Sequence, residues 1–343
     1  MNSPGGRLLH LAAAVGRPWD GPRVPAQTRG EGRRDGGPPA HRDPDDARDA
    51  EADTYVELAR LAESGGLDFV TFDGLAARSG PDVPALLSRV ASATGRVGLV
   101  AAIADDPADP RLVATALAAL GRACHDRAGW RGGAPAGGRG PDAATLEQVL
   151  EEAESALAGP DGDAVHGDPV ADAPLVRLVD ITGPGARRIA ARRADVALVR
   201  AVSPAQAERE GDELRSLAAE SGRDPRSLRV LAALRVDLGG GESAAEPAHG
   251  GGGPRPSARG PLYRGGPVGL ADLVTAWHGA GAVDGFHLTP VAPRRDLERL
   301  VNGTVALLQH RGLFRTFYPG STLREHLGLA RPAPRRSAAR QGP

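Results

Sequence analysis

The sequence predicts an α/β fold, a (β/α)8 TIM barrel with shortened, partly disordered insertion loops. Three observations carry this expectation. Short apolar or β-branched runs of five to eight residues alternate with Ala/Leu/Glu/Arg-rich stretches of helical period, about eight times along the chain. The runs are near-continuously apolar rather than alternating, as when both faces of a parallel sheet are covered. Finally, 343 residues, 41% of them hydrophobic, are enough for one large domain. Eight βα units close a barrel. An open doubly wound sheet obeys the same grammar and stays in view as a second architecture.

The strands are expected at Leu8 to Val15, Leu67 to Phe72, Val97 to Ile103, Arg127 to Trp130, Leu175 to Ile181, Asp195 to Val199, Leu228 to Val236 and Val283 to Leu288. The helices between them run over Ala50 to Ser64, Val83 to Ala93, Pro110 to Cys124, Ala143 to Ala158, Ala186 to Arg193, Pro204 to Ser221, Leu270 to Ala280 and Arg294 to Arg311. Gly, Pro and charge dominate residues 16–48, 131–141 and 239–267, which show no packable pattern and read as a mobile loop and two flexible loops. Residues 333–343 read as a disordered tail. A single domain, 1–343, is expected, with none of these breaks as a boundary.

Composition excludes several classes. The 42 basic and 43 acidic side chains nearly cancel, against the concentrated basic face of a nucleic-acid protein. No run approaches the apolar length of a membrane helix, and the N-terminus makes no convincing signal peptide, so a cytoplasmic enzyme is the default. One cysteine, Cys124, excludes an internal disulfide and a thiolate zinc cluster. The nine His are scattered without a close ligand pairing, so no metal site is expected. Every basic residue is Arg, and with 47 Gly and 30 Pro this indicates codon bias, which lowers the information in any single Arg or Gly.

In a barrel of this kind chemistry gathers where strands end and the following loops converge on one mouth. The candidates are Gly16 to Asp20, Asp73 and Gly74, Ala104 to Asp106, Arg131 with its glycines, Thr182 to Gly185, Arg200, Asp237 and Thr289. In ITGPGARR, Thr182, Gly183 and Gly185 precede a helix and offer free backbone N–H groups and a hydroxyl. They suit either a docked phosphate or a tight turn capped by Thr182. Asp73, ending LDFVTFD, suits either hydrogen bonds from a ligand or a structural cap or salt bridge. Cys124 and His125 are adjacent on a helix and diverge by about 100°, so Cys124 is read as packing.

The segment AVDGFHLTP and the run from Leu297 to Pro332, with LQ-x-RGLFR and Y-x-G-x-TLREHLGL-x-RP, resemble the closing part of the bacterial luciferase-like flavin monooxygenases. The nearest branch holds nitrilotriacetate monooxygenase, dibenzothiophene-sulfone monooxygenase and the pristinamycin synthase large subunit. LARLAESGGLDFVTFDGL, LAALGRACHDRAGW and GARRIAARRADVAL add to the resemblance, which spans about Tyr55 to Pro332. Its implied fold is the barrel already inferred.

The resemblance implies a two-component monooxygenase, in which a flavin reductase supplies reduced FMN and one atom of O2 enters a small organic substrate. A homodimer is implied as well. Thr182 and Gly183 would hold the FMN phosphate, Asp73 stands at the family's strand-two aspartate, and Trp130 keeps the family's Gly-Trp. Here the chain also departs from the pattern. Arg131 follows where the family has an Asn, Asp105 and Asp106 stand where it has a hydroxyl, and the paired His after strand one are absent. Arg131 or Arg200 would then supply a phosphate contact by a charge-assisted pair. Asp73, Asp105, Trp130, Arg131, Thr182 and Gly183 are thus the expected cofactor-binding set; no catalytic residue is assigned. The second functional reading is a degenerate, non-catalytic barrel that serves as a binding or partner subunit.

Overall fold

The computed structural model of the chain describes residues 8–16, 44–72, 82–102, 117–133 apart from 118, 122 and 125, five residues within 144–152, then 175–182, 184–239 and 253–330. Eight strands form a closed parallel ring. They are β1 (His10–Ala14), β2 (Phe69–Phe72), β3 (Gly98–Ala102), β4 (Ala128–Gly132), β5 (Val176–Asp180), β6 (Val196–Val199), β7 (Arg229–Asp237) and, after one further strand, β9 (Gly285–Pro290). Neighbours pair in sequence from β1 to β7, β7 pairs with β9, and β9 returns to β1 with Leu11 opposite Phe286. Closure excludes the open doubly wound sheet.

All eight expected strands are present. The barrel also carries a ninth, β8 (Leu262–Arg264), which extends β7 beyond the ring, with Val236 opposite Tyr263. This corrects the reading of 239–267 as featureless, since residues 253–267 are folded: Arg255 and Leu262 form an antiparallel bridge ahead of β8. Arg131 and Gly132, read as the start of a loop, are instead the last residues of β4. The first helix, Pro44–Ser64, begins inside the stretch expected to be a loop through 48. Several helices open with Pro at the first helical position, where its missing N–H costs nothing: Pro204 follows the N-cap Ser203, whose hydroxyl accepts from Gln206 N at 3.3 Å.

The expected single helix Arg294 to Arg311 is broken. A helix over Pro293–Arg299 passes into a π-helical turn, Leu300–Val305, before α-helix resumes at Ala306–His310. Tertiary packing accounts for it: Gly303 lies against Pro267, whose Cβ would sit 2.5 Å from any Cβ at that site, and Thr304 Oγ1 donates to Pro267 O at 3.0 Å.

Two apolar layers follow from the alternation of strand residues. Leu11, Val70, Leu99, Trp130, Val179, Val199, Val230 and Phe286 pack outward against the helices, while Ala12, Phe69, Val100, Leu178, Leu198 and Leu231 fill the barrel. The closing segment seals its N-terminal end. Leu323, Leu327 and Leu329 join the interior cluster, Leu323 N donates to Asp126 O at 3.1 Å, and Arg229 holds the carbonyls of Leu327 and Gly328. Beneath, Arg315 Nη1 meets the fully buried carboxylate of Asp68 at 2.8 Å, which also lies 3.3 Å from His10 Nδ1 and accepts from Leu11 N at 2.7 Å.

Candidate functional site at the barrel mouth

The mouth is built by the same alternation that fills the barrel. Going up β4, β5, β6 and β7, the inward positions run Gly129 to Arg131, Leu178 to Asp180, Leu198 to Arg200, and Leu231 through Ala233 to Arg235. An apolar layer thus gives way to a charged one at the C-terminal ends of the strands. β9 adds His287, whose Nε2 lies 2.9 Å from Thr71 Oγ1 and whose ring stacks on Phe69 at 6.1 Å, and then Thr289. These inward groups line a cleft of about 20 Å3, room for one or two waters, that opens to solvent.

One side of the cleft is formed by a turn. Ser257 accepts from Arg259 N at 3.3 Å and donates to Gly260 O, and Arg235 N donates to Pro261 O at 2.8 Å, which sets Arg259, Gly260 and Pro261 over the mouth. Gly260 takes φ +100°, a conformation that a side chain would strain. Gly133 is required for a different reason: with φ +106°, a Cβ there would lie 2.8 Å from Asp180 O, so glycine lets the end of β4 lie against β5.

The electrostatics are one-sided. Arg131, Arg200, Arg235 and Arg259 line the cleft, and Asp180 is the sole acidic residue among the lining groups described. Arg200 Nη2 donates to Asp180 Oδ2 at 2.7 Å. Burial, followed by repulsion from Arg259 and Arg264, holds the Arg235 guanidinium below the ordinary arginine range, with Asp237 offsetting part of this. Such a donor set suits an anion. It fits the charge of a flavin phosphate or of a reduced flavin.

The sequence-predicted residues fare unequally. Asp73, Asp105 and Gly183 lie outside the described residues. Arg131 faces the cleft and is 4% exposed; Thr182 is exposed at the end of β5, ahead of the helix Pro184–Arg193, and does not line the cleft. Trp130, 2% exposed, packs in the layer between barrel and helices, with its side chain on the opposite face of β4 from Arg131. Of the other mouth candidates, Arg200 and Thr289 reach the cleft, while Asp237 instead binds Arg264 and Arg295 at 3.3 and 2.8 Å. Asp180, Arg235, Arg259 and His287 were missed. Asp180 and Arg235 could have been found from their polar character at inward positions of apolar strands.

Cys124 is buried, and burial pushes its thiol up to about 11, with Arg127 partly opposing. Packing, as expected, is its place. No group of His, Cys, Asp and Glu able to hold a metal occurs among the described residues. Among those residues, no helix is long and apolar enough to cross a membrane.

Residues 179–303 match the family model of luciferase-like monooxygenases. Nitrilotriacetate monooxygenase component A of Aminobacter aminovorans is 48% identical over 66 residues, 19% of this chain and 15% of that protein. N-acetyl-S-(2-succino)cysteine monooxygenase of Bacillus subtilis (strain 168) is 42% identical over 74 residues, 22% of this chain and 17% of that protein. The matched segments therefore span about a sixth of these relatives' length. The solved structure of EDTA monooxygenase from Chelativorans sp. BNC1 superposes with a TM-score of 0.69 over 94% of this chain and 99% of that one, at 19% identity, a likeness of fold. Residues 179–303 are thus similar in sequence to luciferase-like monooxygenases, the family to which the closing segment's resemblance pointed, and the barrel is similar in fold to EDTA monooxygenase.

Proposed function

We propose that the chain is a reduced-FMN-dependent monooxygenase of a two-component system, cytoplasmic and homodimeric, served by a separate flavin reductase and acting with O2 on a small organic substrate at the barrel mouth. One observation carries this reading: of the described residues lining the cleft, all but Arg131 fall within 179–303, the segment that matches luciferase-like monooxygenases. Bound reduced flavin supplies the electrons that activate O2; the protein supplies position and exclusion of water.

The residues divide that work as follows. Thr182 and Gly183, ahead of the helix Pro184–Arg193, bind the phosphate through a hydroxyl and backbone N–H groups. Asp73 and Asp105, which follow β2 and β3 in the sequence, would orient the ring's polar edge. Arg131 offers fixed positive charge from inside the barrel, and Trp130 buttresses the strand that carries it. The apolar layer of Leu198, Ala233 and Leu231 below the mouth keeps water from entering through the barrel.

A second reading, a barrel that binds without catalysis, is favoured by the small volume of the cleft. One titration separates the two. Reduced FMN, added anaerobically and followed by flavin fluorescence or melting temperature, is expected to saturate near about 1 μM; no binding at about 100 μM overturns the enzyme reading. Thr182→Val is expected to weaken binding by about 1 kcal/mol, the contribution of one hydroxyl hydrogen bond.

A further inference from the structure

Two of the four guanidiniums at the mouth differ from the others. Arg131 lies within β4 and Arg200 is spent on Asp180, but Arg235 and Arg259 make no ion pair among the described residues. They arrive from separate places, the inward face of β7 and the Ser257–Pro261 turn, and line the same cleft, where their like charges repel. An anion seated between like charges held together by a folded turn relieves that repulsion.

The rest of the cleft narrows the anion's identity. Its volume of about 20 Å3, room for one or two waters, takes the oxygens of a small head and not a ring. Its wall is apolar at Leu198 and Ala233, which suits a short carbon stem behind that head. Asp180, buried on the same wall, disfavours a second full negative charge deep in the cleft and so favours a singly charged head. A planar carboxylate meets each of these conditions and pairs with guanidinium forks in two-point geometry.

We infer that the cleft between β7 and the Ser257–Pro261 turn seats the carboxylate of a small organic ligand, with Arg235 and Arg259 as its clamp. The proposal rests on the monooxygenase reading only in calling that ligand the substrate; the seat itself needs no flavin. It assigns specificity to two arginines that the flavin chemistry does not use.

The test uses the full chain without flavin, at low and constant ionic strength, with butyrate as probe and chloride as control, followed by titration calorimetry. Saturable butyrate binding is expected, weakened about tenfold or more in Arg235→Gln and in Arg259→Gln, the loss of one charge-assisted contact. Arg235→Lys is expected to recover part of the affinity, and Arg96→Gln, at the opposite end of the barrel beside Gly320, to leave it unchanged. Melting temperatures show whether each variant is folded; should Arg235→Gln fail to fold, Arg259→Gln on the turn carries the test. Equal affinity in wild type and both Gln variants overturns the proposal. So does displacement of butyrate by FMN but not by riboflavin, which would make the clamp the cofactor's phosphate seat. Butyrate binding that persists in a protein found not to bind FMN supports the seat and removes only the monooxygenase reading.

Discussion

Arg200 reaches from the end of β6 to Asp180 at the end of β5, Nη2 to Oδ2 at 2.7 Å, so that the sole acidic group among the described residues of the cleft lining is held by one of the four arginines described there. The carboxylate is 4% exposed and the guanidinium 23%. Breaking a buried pair from one side costs about 3–5 kcal/mol, and the partial exposure of Arg200 reduces that to about 2 kcal/mol. Asp180→Asn is therefore expected to lower unfolding free energy in urea by about 2 kcal/mol while strengthening anion binding severalfold. A weaker-binding Asn variant would show that Asp180 shapes the cleft and does not oppose its charge.

A second expectation concerns acid stability. Burial of Asp68 favours its neutral form, but Arg315 and His10 outweigh this and hold its pKa below the usual carboxylate value. The folded pKa thus lies under the unfolded one, so the stability Asp68 contributes is present above about pH 4 and is lost as pH falls through the folded value. Asp68→Asn is expected to cost about 3 kcal/mol at pH 7, because it strands the Arg315 charge. The gap between wild type and variant should narrow as pH falls below about 4, as read from urea melts at pH 7 and pH 3. A gap independent of pH would contradict this account.

The barrel floor offers a third test. A Cβ at Gly98 would lie 2.6 Å from Leu323 Cδ1 and 2.9 Å from Phe69 Cβ, so Gly98→Ala is expected to destabilise by about 1–3 kcal/mol through overpacking. Leu323→Ala alone should cost about 2–4 kcal/mol by leaving a cavity. The double variant should be more stable than the sum of the two losses, since the shortened side chain makes room for the new methyl group. Simple additivity in a thermal-melt cycle would mean the two sites do not share that space.

Cys124 provides a fourth. Its thiol is buried and pushed up to about 11. In the native protein at pH 8 its reaction with a thiol-specific disulfide reagent should be at least about 100-fold slower than in the unfolded chain, because the thiolate is both scarce and covered. Labelling at the free-cysteine rate in folded protein would refute the burial.

The eight ring strands were readable because strands buried on both faces leave continuous apolar runs, as in VALV and FVTF. β8 was not, because Leu262–Arg264 is three residues between glycines and prolines and owes its shape to hydrogen bonds from β7. The π turn at Leu300–Val305 was likewise invisible, set by Pro267 far away in sequence. At the mouth, Arg200 and Thr289 followed from strand ends. Arg235 lay inside a run read simply as strand, and its inward aim emerges only from alternation with Leu231 and Ala233. Arg259 sits in a segment with no periodicity, so only the folded turn reveals it. The most recognisable part of the sequence, the run holding Arg315, Tyr318 and Leu323, proved to seal the opposite end of the barrel, where Tyr318 Oη donates to Leu67 O at 2.9 Å.

That position has a bearing on biosynthesis. Leu323, Leu327 and Leu329 leave the ribosome after every strand of the ring, and β9 must emerge before β1 finds its second neighbour. A nascent chain that stops before β9 lacks a closed wall, and one that stops before Leu323 lacks the floor, so the inner faces of its strands stay open to water. Native assembly therefore waits for the last plug residues to be translated, and a stall late in the message leaves an adhesive, half-built cylinder rather than a smaller folded protein.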